Sequence, residues 1–131
     1  MYIPSGFSTI TPYFFVKDAE SFVEFLVNAF GAIEVLRSLR PDGRIANAQV
    51  RVGTSMVMTS EADGCYPPMS SAFYLYVENA DQSMSQAIAA GALLEMEASD
   101  MPYGDRQGGV KDPHGNIWWI SQRLVQTPYS A

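Results

Sequence analysis

Few residues of this chain have both the type and the spacing that catalysis needs. The only histidine, His114, and the only cysteine, Cys65, stand in different predicted loops, and no Gly-x-Ser-x-Gly sequence occurs. A nucleophile needs a base within hydrogen-bonding distance, so nucleophilic catalysis finds no support here. Glu95, Glu97 and Asp100 are available as acids or bases, but we expect them to form the charged edge of a strand.

Aromatic side chains occupy alternating positions of predicted strands. Tyr13 and Phe15 alternate in the first half of the chain, and Tyr74 and Tyr76 alternate in the second. Side chains on a strand alternate between its faces, so each pair is expected on one face. The other residues expected on these faces are Asn47, Gln49, Arg51 and Trp119. Such a surface suits a small planar or heterocyclic molecule, although the same aromatics could simply fill the space between two sheets.

Arg106 is the basic residue with the most suggestive position. It lies in a glycine-rich stretch, 101–109, that we predict to be a loop. A guanidinium in such a loop could close over a cleft and bind an anionic group. The alternative is that Arg106 pairs with Asp105 or Asp112 and fixes the loop. Gly108-Gly109 is not a phosphate loop, because no Lys-Ser or Lys-Thr follows it and no strand precedes it.

The elements that must position these residues occur twice, about 60 residues apart. Residues 16–32 and 77–92 both run from a strand end, through Asp or Asn, into a helical stretch that ends in Gly-Ala. Asp18 is the expected N-cap of a helix from Ala19 to Phe30. Each half predicts a strand, a helix and three further strands. Two such modules can face each other across a cleft.

The repeat defines the expected domain organisation. We predict one domain over 1–131, made of two modules at about 9–60 and 71–123. The segment 61–70 contains Gly64, Pro67 and Pro68 and has the composition of a linker. In the second module, only Val110–Lys111 is expected to be a strand between the glycine-rich loop and the last strand.

Composition excludes several classes of partner. The net charge of −6 and eight scattered basic residues argue against nucleic-acid binding. No apolar run reaches the roughly 18 residues of a membrane span, and the first residues lack the pattern of a signal peptide. One cysteine excludes an intramolecular disulfide and fits a reducing compartment. We therefore expect a soluble cytoplasmic protein with no membrane partner.

Two stretches near the end of the second module carry a family resemblance. Tyr103-Gly104-Asp105-Arg106, followed by Asp-Pro-His-Gly-Asn-Ile-Trp-Trp-Ile at 112–120, resembles the C-terminal signature of the vicinal oxygen chelate superfamily. That superfamily contains glyoxalase I, extradiol dioxygenases, and the bleomycin and fosfomycin resistance proteins. Within it, Ala29–Ala32 and Gly104–Arg106 are most similar to the small PhnB-like branch. The resemblance covers nearly the whole chain.

The resemblance implies an α+β fold of two βαβββ modules, whose curled mixed sheets surround a cavity that is usually completed in a homodimer. In enzymes of the superfamily, the first and last strands of each module present His, Glu or Gln to a divalent metal, which acts as a Lewis acid. The corresponding positions here are Thr11, Gln49, Ala72 and Trp119. Only Gln49 has a donor suited to a metal, and a shift of one residue brings in no His or Glu. We therefore predict no metal site and no cofactor.

These features favour a metal-free, homodimeric small-molecule-binding protein, similar to the resistance-type members of the superfamily. Its expected ligand-binding residues are Tyr13, Phe15, Asn47, Gln49, Arg51, Tyr74, Tyr76, Arg106 and Trp119. The first alternative is a metal-dependent lyase, isomerase or dioxygenase that uses a divalent metal with Gln49 as one ligand. The second is an interaction module with a packed centre. Whether a reaction is catalysed, and whether the cavity lies within one chain or across a dimer, stays open, because one fold hosts many activities.

Overall fold

The computed structural model describes residues 1–130, which form two compact units. Unit 1 comprises Met1–Ser70, and unit 2 begins at Ser71. Each unit has one four-stranded sheet and one helix. Within residues 1–130, neither helix is long and apolar enough to cross a membrane.

Unit 1 is a strand, a helix and three further strands. Its elements are β1 (Tyr13–Val16), α1 (Ala19–Phe30), β2 (Ile33–Leu39), β3 (Ile45–Val52) and β4 (Ser55–Glu61). The strands lie in the order β1-β4-β3-β2, with β1 parallel to β4 and the other pairs antiparallel. The helix α1 therefore connects β1 to β2 at the opposite edge of the sheet, and β4 pairs with β1.

Unit 2 repeats this topology. Its elements are β5 (Ala72–Tyr76), α2 (Ala80–Ala89), β6 (Leu93–Asp100), β7 (Asp105–Lys111) and β8 (Ile117–Arg123). The order is β5-β8-β7-β6, and only the β5–β8 pair is parallel. The predicted α+β class with two βαβββ modules is confirmed.

The last strand of each unit helps to hold the start of the helix. Asp18 Oδ1 accepts the N–H of Ser21 at 3.2 Å, so the predicted N-cap of α1 is present. Glu61, at the end of β4, accepts the N–H groups of Asp18 and Ala19 at 2.8 and 2.9 Å. In unit 2, Gln122 Oε1 of β8 accepts the N–H of Ala80 at 3.0 Å. N–H groups at the helix starts, which have no partner within the helix, thus donate to side chains of the sheet.

One face of each sheet packs against the helix of its own unit. In unit 1, Phe14 and Val16 of β1 are buried, and the ring of Phe14 lies 4.8 Å from that of Phe22, which is fully buried in α1. In unit 2, the rings of Phe73 and Trp118 stack at 4.9 Å, and Trp118 is buried. The alternate residues of the same strands therefore lie on the opposite face.

Two predicted strand boundaries were wrong. The first strand begins at Tyr13, whereas the first module, and with it the first strand, was expected from about residue 9, so residues 1–12 form a segment before the sheet. The predicted loop at 101–109 is largely strand, because β7 starts at Asp105 and pairs with β8 along its whole length, from Asp105–Arg123 to Lys111–Ile117. The continuous backbone hydrogen bonds between β7 and β8 outweigh the low strand preference of the glycines.

Candidate functional site

Each sheet has an open face, meaning the face that its own helix does not cover. In unit 1, Tyr13 pairs with Met58, and Met58 pairs with Gln49, so the three side chains form a row on this face. In unit 2, Tyr74 pairs with Trp119, and Trp119 pairs with Gly109. The two open faces therefore carry corresponding rows.

The open face of unit 1 combines aromatic rings with amide groups. The rings of Tyr13 and Phe15 lie 5.0 Å apart, and Phe15 stacks on Tyr66 at 5.3 Å. Asn47 Nδ2 donates to the Tyr13 hydroxyl at 3.4 Å, and Gln49 Nε2 donates to Asn47 Oδ1 at 3.5 Å. These four predicted site residues share one surface that offers flat rings and adjustable hydrogen-bonding groups.

Arg51 lies farther along the same face. It pairs with Met56 on one side and with Ile33 on the other, two positions beyond Gln49 on β3. It is exposed. The guanidinium is thus a positive charge at the end of this surface.

The segment before β1 forms a pocket with the open face of unit 1. The pocket has a volume of about 480 Å³ and is lined by residues of 2–11 together with Gln49 and Met58. Most of its lining is apolar, including Ile3 and Phe7, while Thr11 and Gln49 supply polar atoms. Its size is within the range of small-molecule sites.

The open face of unit 2 is also aromatic. The rings of Tyr74 and Tyr76 lie 5.2 Å apart. Trp119 packs closely against Gly109, since a Cβ on Gly109 would be 2.5 Å from Trp119 Cζ3. Tyr13 and Tyr74, the corresponding tyrosines of the two units, are each 41% exposed. Their rings are accessible.

A buried carboxylate lies beneath the tyrosines of unit 2. Asp105 is 0% exposed, and its Oδ2 lies 2.5 Å from the hydroxyl oxygens of both Tyr74 and Tyr129. Its Oδ1 accepts from Arg123 Nη1 at 3.0 Å. Gln107 Oε1 accepts from the hydroxyl of Tyr103 and lies 3.1 Å from the hydroxyl oxygen of Tyr74, whose single proton is directed at Asp105. Sequence reasoning missed this cluster.

The cluster shifts the pKa values of its members. Burial opposes ionisation of Asp105, but hydrogen bonds from Tyr129, Tyr74 and Arg123 outweigh it and lower the pKa of the carboxyl. Partial burial, together with the hydrogen bond to Asp105, raises the pKa of Tyr74 to about 12. Asp105 is therefore a charged acceptor, and Tyr74 is a neutral donor, at neutral pH.

Arg106 lies on the other face of β7. Its guanidinium binds Asp81 of α2 and Asp100 of β6, each at 3.0 Å. The predicted loop position and the predicted partners Asp105 and Asp112 were wrong. Successive residues of a strand point to opposite faces, so once β7 includes Asp105, Arg106 is directed toward α2.

The Asp-Pro-His-Gly-Asn stretch supports the fold. Asp112 accepts the N–H groups of His114 and Asn116 at 2.8 and 3.0 Å, and also the indole N–H of Trp118 at 2.8 Å. Asn116 Oδ1 accepts the N–H of Ser71 at 3.0 Å. Asp112 and Asn116 are both buried. His114 lies in the turn, as predicted.

The donor set does not fit a divalent metal. Gln49 lies on β3, whereas the last strand of unit 1 is β4, where Met58 occupies the position that corresponds to Trp119. Thr11, Met58, Ala72 and Trp119 offer no carboxylate or imidazole. Among residues 1–130, no three His, Cys, Asp or Glu side chains come together as a metal site. Divalent metals bind through such groups, so the residues at these positions do not fit a metal.

Comparison with known proteins identifies relatives that match most of the chain. The model of the glyoxalase/bleomycin resistance protein/dioxygenase superfamily matches residues 7–120. The uncharacterized protein Mb0911c of Mycobacterium bovis (strain ATCC BAA-935 / AF2122/97) is 32% identical over 124 residues, which cover 86% of this chain and 82% of that protein.

Solved structures share the fold. TioX from Micromonospora sp. ML1 is 26% identical, with a TM-score of 0.77, over 89% of this chain and 99% of that chain. TnmS3, an antibiotic binding protein from Streptomyces sp. CB03234, is 21% identical, with a TM-score of 0.71, over 94% and 98%. The two-module topology is therefore present in proteins of known structure.

Proposed function

Since this chain belongs to the glyoxalase/bleomycin resistance protein/dioxygenase superfamily, we propose that it is a member that binds a small organic molecule without a metal. The observation that carries this proposal is the pair of corresponding rows on the open faces. Tyr13, Met58 and Gln49 stand in one row, and Tyr74, Trp119 and Gly109 stand in the other. In and beside these rows, the positions that would hold a metal carry Thr11, Met58, Ala72 and Trp119, which offer no carboxylate or imidazole.

The proposed ligand is flat and mostly apolar. Tyr13 and Phe15 present adjacent rings, and in unit 2 Tyr74 and Trp119 are paired on neighbouring strands. Stacking on such rings contributes about 0.5–1.5 kcal/mol beyond the area buried. Gln49 and Asn47 provide a donor and an acceptor that orient the ligand. The shared fold of TnmS3, an antibiotic binding protein, is compatible with this role.

A homodimer in a reducing compartment is part of the proposal. The strands β2 and β6 each form one of the two edges of their sheets, and each carries exposed apolar side chains. These are Ile33, Val35, Leu36 and Leu39 on β2, and Leu93 and Leu94 on β6. Exposed apolar groups of this kind are typical of contact surfaces between protein chains. Assignment to the PhnB-like branch rests on the sequence resemblance at Ala29–Ala32 and Gly104–Arg106.

Calorimetric titration with acridine tests the proposed function. Acridine is a flat aromatic heterocycle, and we expect saturable binding to protein that has been treated with EDTA. Trp119→Ala and Tyr13→Ala should each weaken binding about tenfold, because each removes a stacking surface. Ile88→Ala, which changes an exposed residue of α2, is the control and should leave the affinity unchanged.

Two outcomes would overturn the proposed function. One is binding that appears only after a divalent ion is added, which would favour a metal-dependent enzyme of the superfamily. The other is an acridine affinity that is the same in the wild-type protein and in both aromatic variants. Thermal melting of each variant separates a loss of binding from a loss of folding.

A further inference from the structure

The segment after β8, residues 124–130, crosses the open face of unit 2 and places a phenol there. Tyr129 Oη lies 2.5 Å from Asp105 Oδ2 and 2.7 Å from Tyr76 Oη. The Tyr129 ring lies 4.1 Å from the guanidinium carbon of Arg123. A phenol side chain therefore sits among a carboxylate, a hydroxyl and a guanidinium.

The three contacts together suit a hydroxyl group on an aromatic ring. Asp105 is a charged acceptor, so the group it binds must donate a hydrogen bond. With that proton directed at Asp105, the Tyr129 oxygen accepts from Tyr76. A carbonyl oxygen cannot donate and an ammonium group cannot accept, whereas a hydroxyl does both. The guanidinium of Arg123 favours an aromatic ring beside it.

Tyr129 is the partner of Asp105 that can leave while the sheet stays intact. Tyr74 lies in β5 and Arg123 lies in β8, so the sheet fixes both. Tyr129 lies outside the helices and strands and is 49% exposed. Its segment is tied at its start, where the N–H of Leu124 donates to the carbonyl of Gly104 at 2.9 Å. Farther along, it is held by the bond from Arg123 to the Thr127 carbonyl.

Space for the rest of a ligand lies next to this position. Tyr76 and Arg123, which both contact Tyr129, also line a pocket of about 490 Å³ with Val77, Glu78 and Gln122. A molecule larger than phenol could place its hydroxyl-bearing ring at Asp105 and extend into this pocket.

We propose that the open face of unit 2 contains a binding site for an aromatic hydroxyl group, and that Tyr129 fills it as an internal substitute when no ligand is bound. This inference rests on the proposed function, because it names the chemical class that one of the two open faces takes. A ligand must displace Tyr129, so its apparent affinity is reduced by the fraction of protein in which the site is filled. The tethered phenol competes at a high effective concentration.

Phenol and fluorobenzene are the probes that test this site. The two molecules have similar shape, but only phenol can donate to Asp105. Binding is followed by nuclear magnetic resonance at the Arg123 side chain and the Gly104 amide. If Tyr129 fills the site nine-tenths of the time, Tyr129→Ala binds phenol about tenfold more tightly than the wild-type protein. The variant also binds phenol at least about tenfold more tightly than fluorobenzene.

Two further variants support the comparison. Ser130→Ala, which changes the neighbouring residue, should bind phenol as the wild-type protein does. Tyr129→Phe keeps the ring and removes only the hydroxyl, so it should give a smaller gain in phenol affinity.

Equal phenol affinity in the wild-type protein, Tyr129→Ala and Tyr129→Phe would overturn the inference. So would equal binding of phenol and fluorobenzene by Tyr129→Ala. If acridine binds but the phenol results are negative, the proposed function stands and this inference fails. If neither phenol nor acridine binds, both fail.

Discussion

Trp119 lies over Gly109 so closely that a Cβ on Gly109 would be 2.5 Å from Cζ3 and 2.6 Å from Cε3 of the indole. The neighbouring glycine, Gly108, faces the other way, and a Cβ there would be 2.7 Å from Met84 Sδ of α2. The glycine pair thus permits close packing on both faces of β7. The two glycines are therefore part of a strand and allow close packing, whereas their sequence indicated a flexible loop.

Gly109→Ala should lower both stability and ligand binding. The indole is rigid, so it can avoid the new methyl group only if the Trp119 side chain or the strand moves. We therefore expect a loss of about 1–3 kcal/mol in the free energy of unfolding. Acridine binding should weaken, because Trp119 changes position. Urea unfolding and calorimetric titration measure the two effects.

Gly108→Ala is the matched comparison. The atoms it would meet belong to the flexible end of Met84, which can rotate away. We expect a smaller loss of stability and an unchanged affinity for acridine. Equal binding losses in the two variants would argue against a role for the Trp119 ring.

Asp112→Ala should destabilise the protein strongly while leaving the open faces in place. The substitution removes the acceptor for the N–H of Asn116 and the indole N–H of Trp118, which are buried, and for the N–H of His114, which is partly buried. Unsatisfied buried donors cost about 1–3 kcal/mol each, so a loss of roughly 3 kcal/mol in the free energy of unfolding is expected. Chemical denaturation gives this value.

Asp42→Ala is the control for Asp112. Asp42 makes a similar turn contact, from the N–H of Arg44 at 2.9 Å, but it is exposed. A loss of about 0.5 kcal/mol or less is expected for this exposed site. A comparable loss in both variants would show that burial of the Asp112 network contributes little.

The stability of unit 2 should fall at alkaline pH through Tyr74. The folded protein raises the pKa of Tyr74 from its ordinary value of 10.0 to about 12, through partial burial first and the bond to Asp105 second. A raised pKa contributes stability that is fully present below the unfolded value and is lost as pH rises through the folded value. The free energy of unfolding should therefore decrease between about pH 10 and about pH 12.

Tyr74→Phe isolates this contribution. The variant lacks the ionising group, so its stability should change less with pH over the same interval. Ultraviolet absorbance of the tyrosines should show one ionisation fewer near pH 12 in the variant. Identical pH profiles for the two proteins would exclude Tyr74 as the source of the alkaline loss.

Arg106→Met should leave ligand binding unchanged. Its partners Asp81 and Asp100 lie on α2 and β6, and all three side chains are partly exposed. Exposed ion pairs contribute about 0–1 kcal/mol, so the loss of stability should be small. A tenfold loss of acridine affinity would instead mean that Arg106 reaches the ligand. Calorimetric titration distinguishes the two results.

Local signals were sufficient to predict the helices. The bounds of α1, Ala19–Phe30, match the prediction, because Asp18 caps the start and Gly31 adopts the left-handed conformation at the end. The contacts from Glu61 and Gln122 to the helix starts were not predictable, since they join residues 42 or 43 positions apart. No local pattern encodes them.

The candidate site was predictable only in part, for a similar reason. Alternation along strands placed Tyr13 and Phe15 on one face, with Asn47 and Gln49 beside them. The Asp105 cluster was missed because Gly108 and Gly109 indicated a loop, whereas α2 and Trp119 require small residues there. Had β7 been recognised, alternation from Asp105 to Gln107 would have placed both on the open face of unit 2 and Arg106 opposite them.

Native mass spectrometry of the protein with acridine tests the central claim, metal-free binding of an organic molecule, most directly. The protein is incubated with equimolar Zn²⁺ and acridine, transferred to a volatile buffer and compared with an EDTA-treated sample. We predict acridine bound in both samples, no zinc retained in stoichiometric amount, and a dimer as the main species. Stoichiometric zinc, with acridine bound only in the zinc-containing sample, would contradict the account.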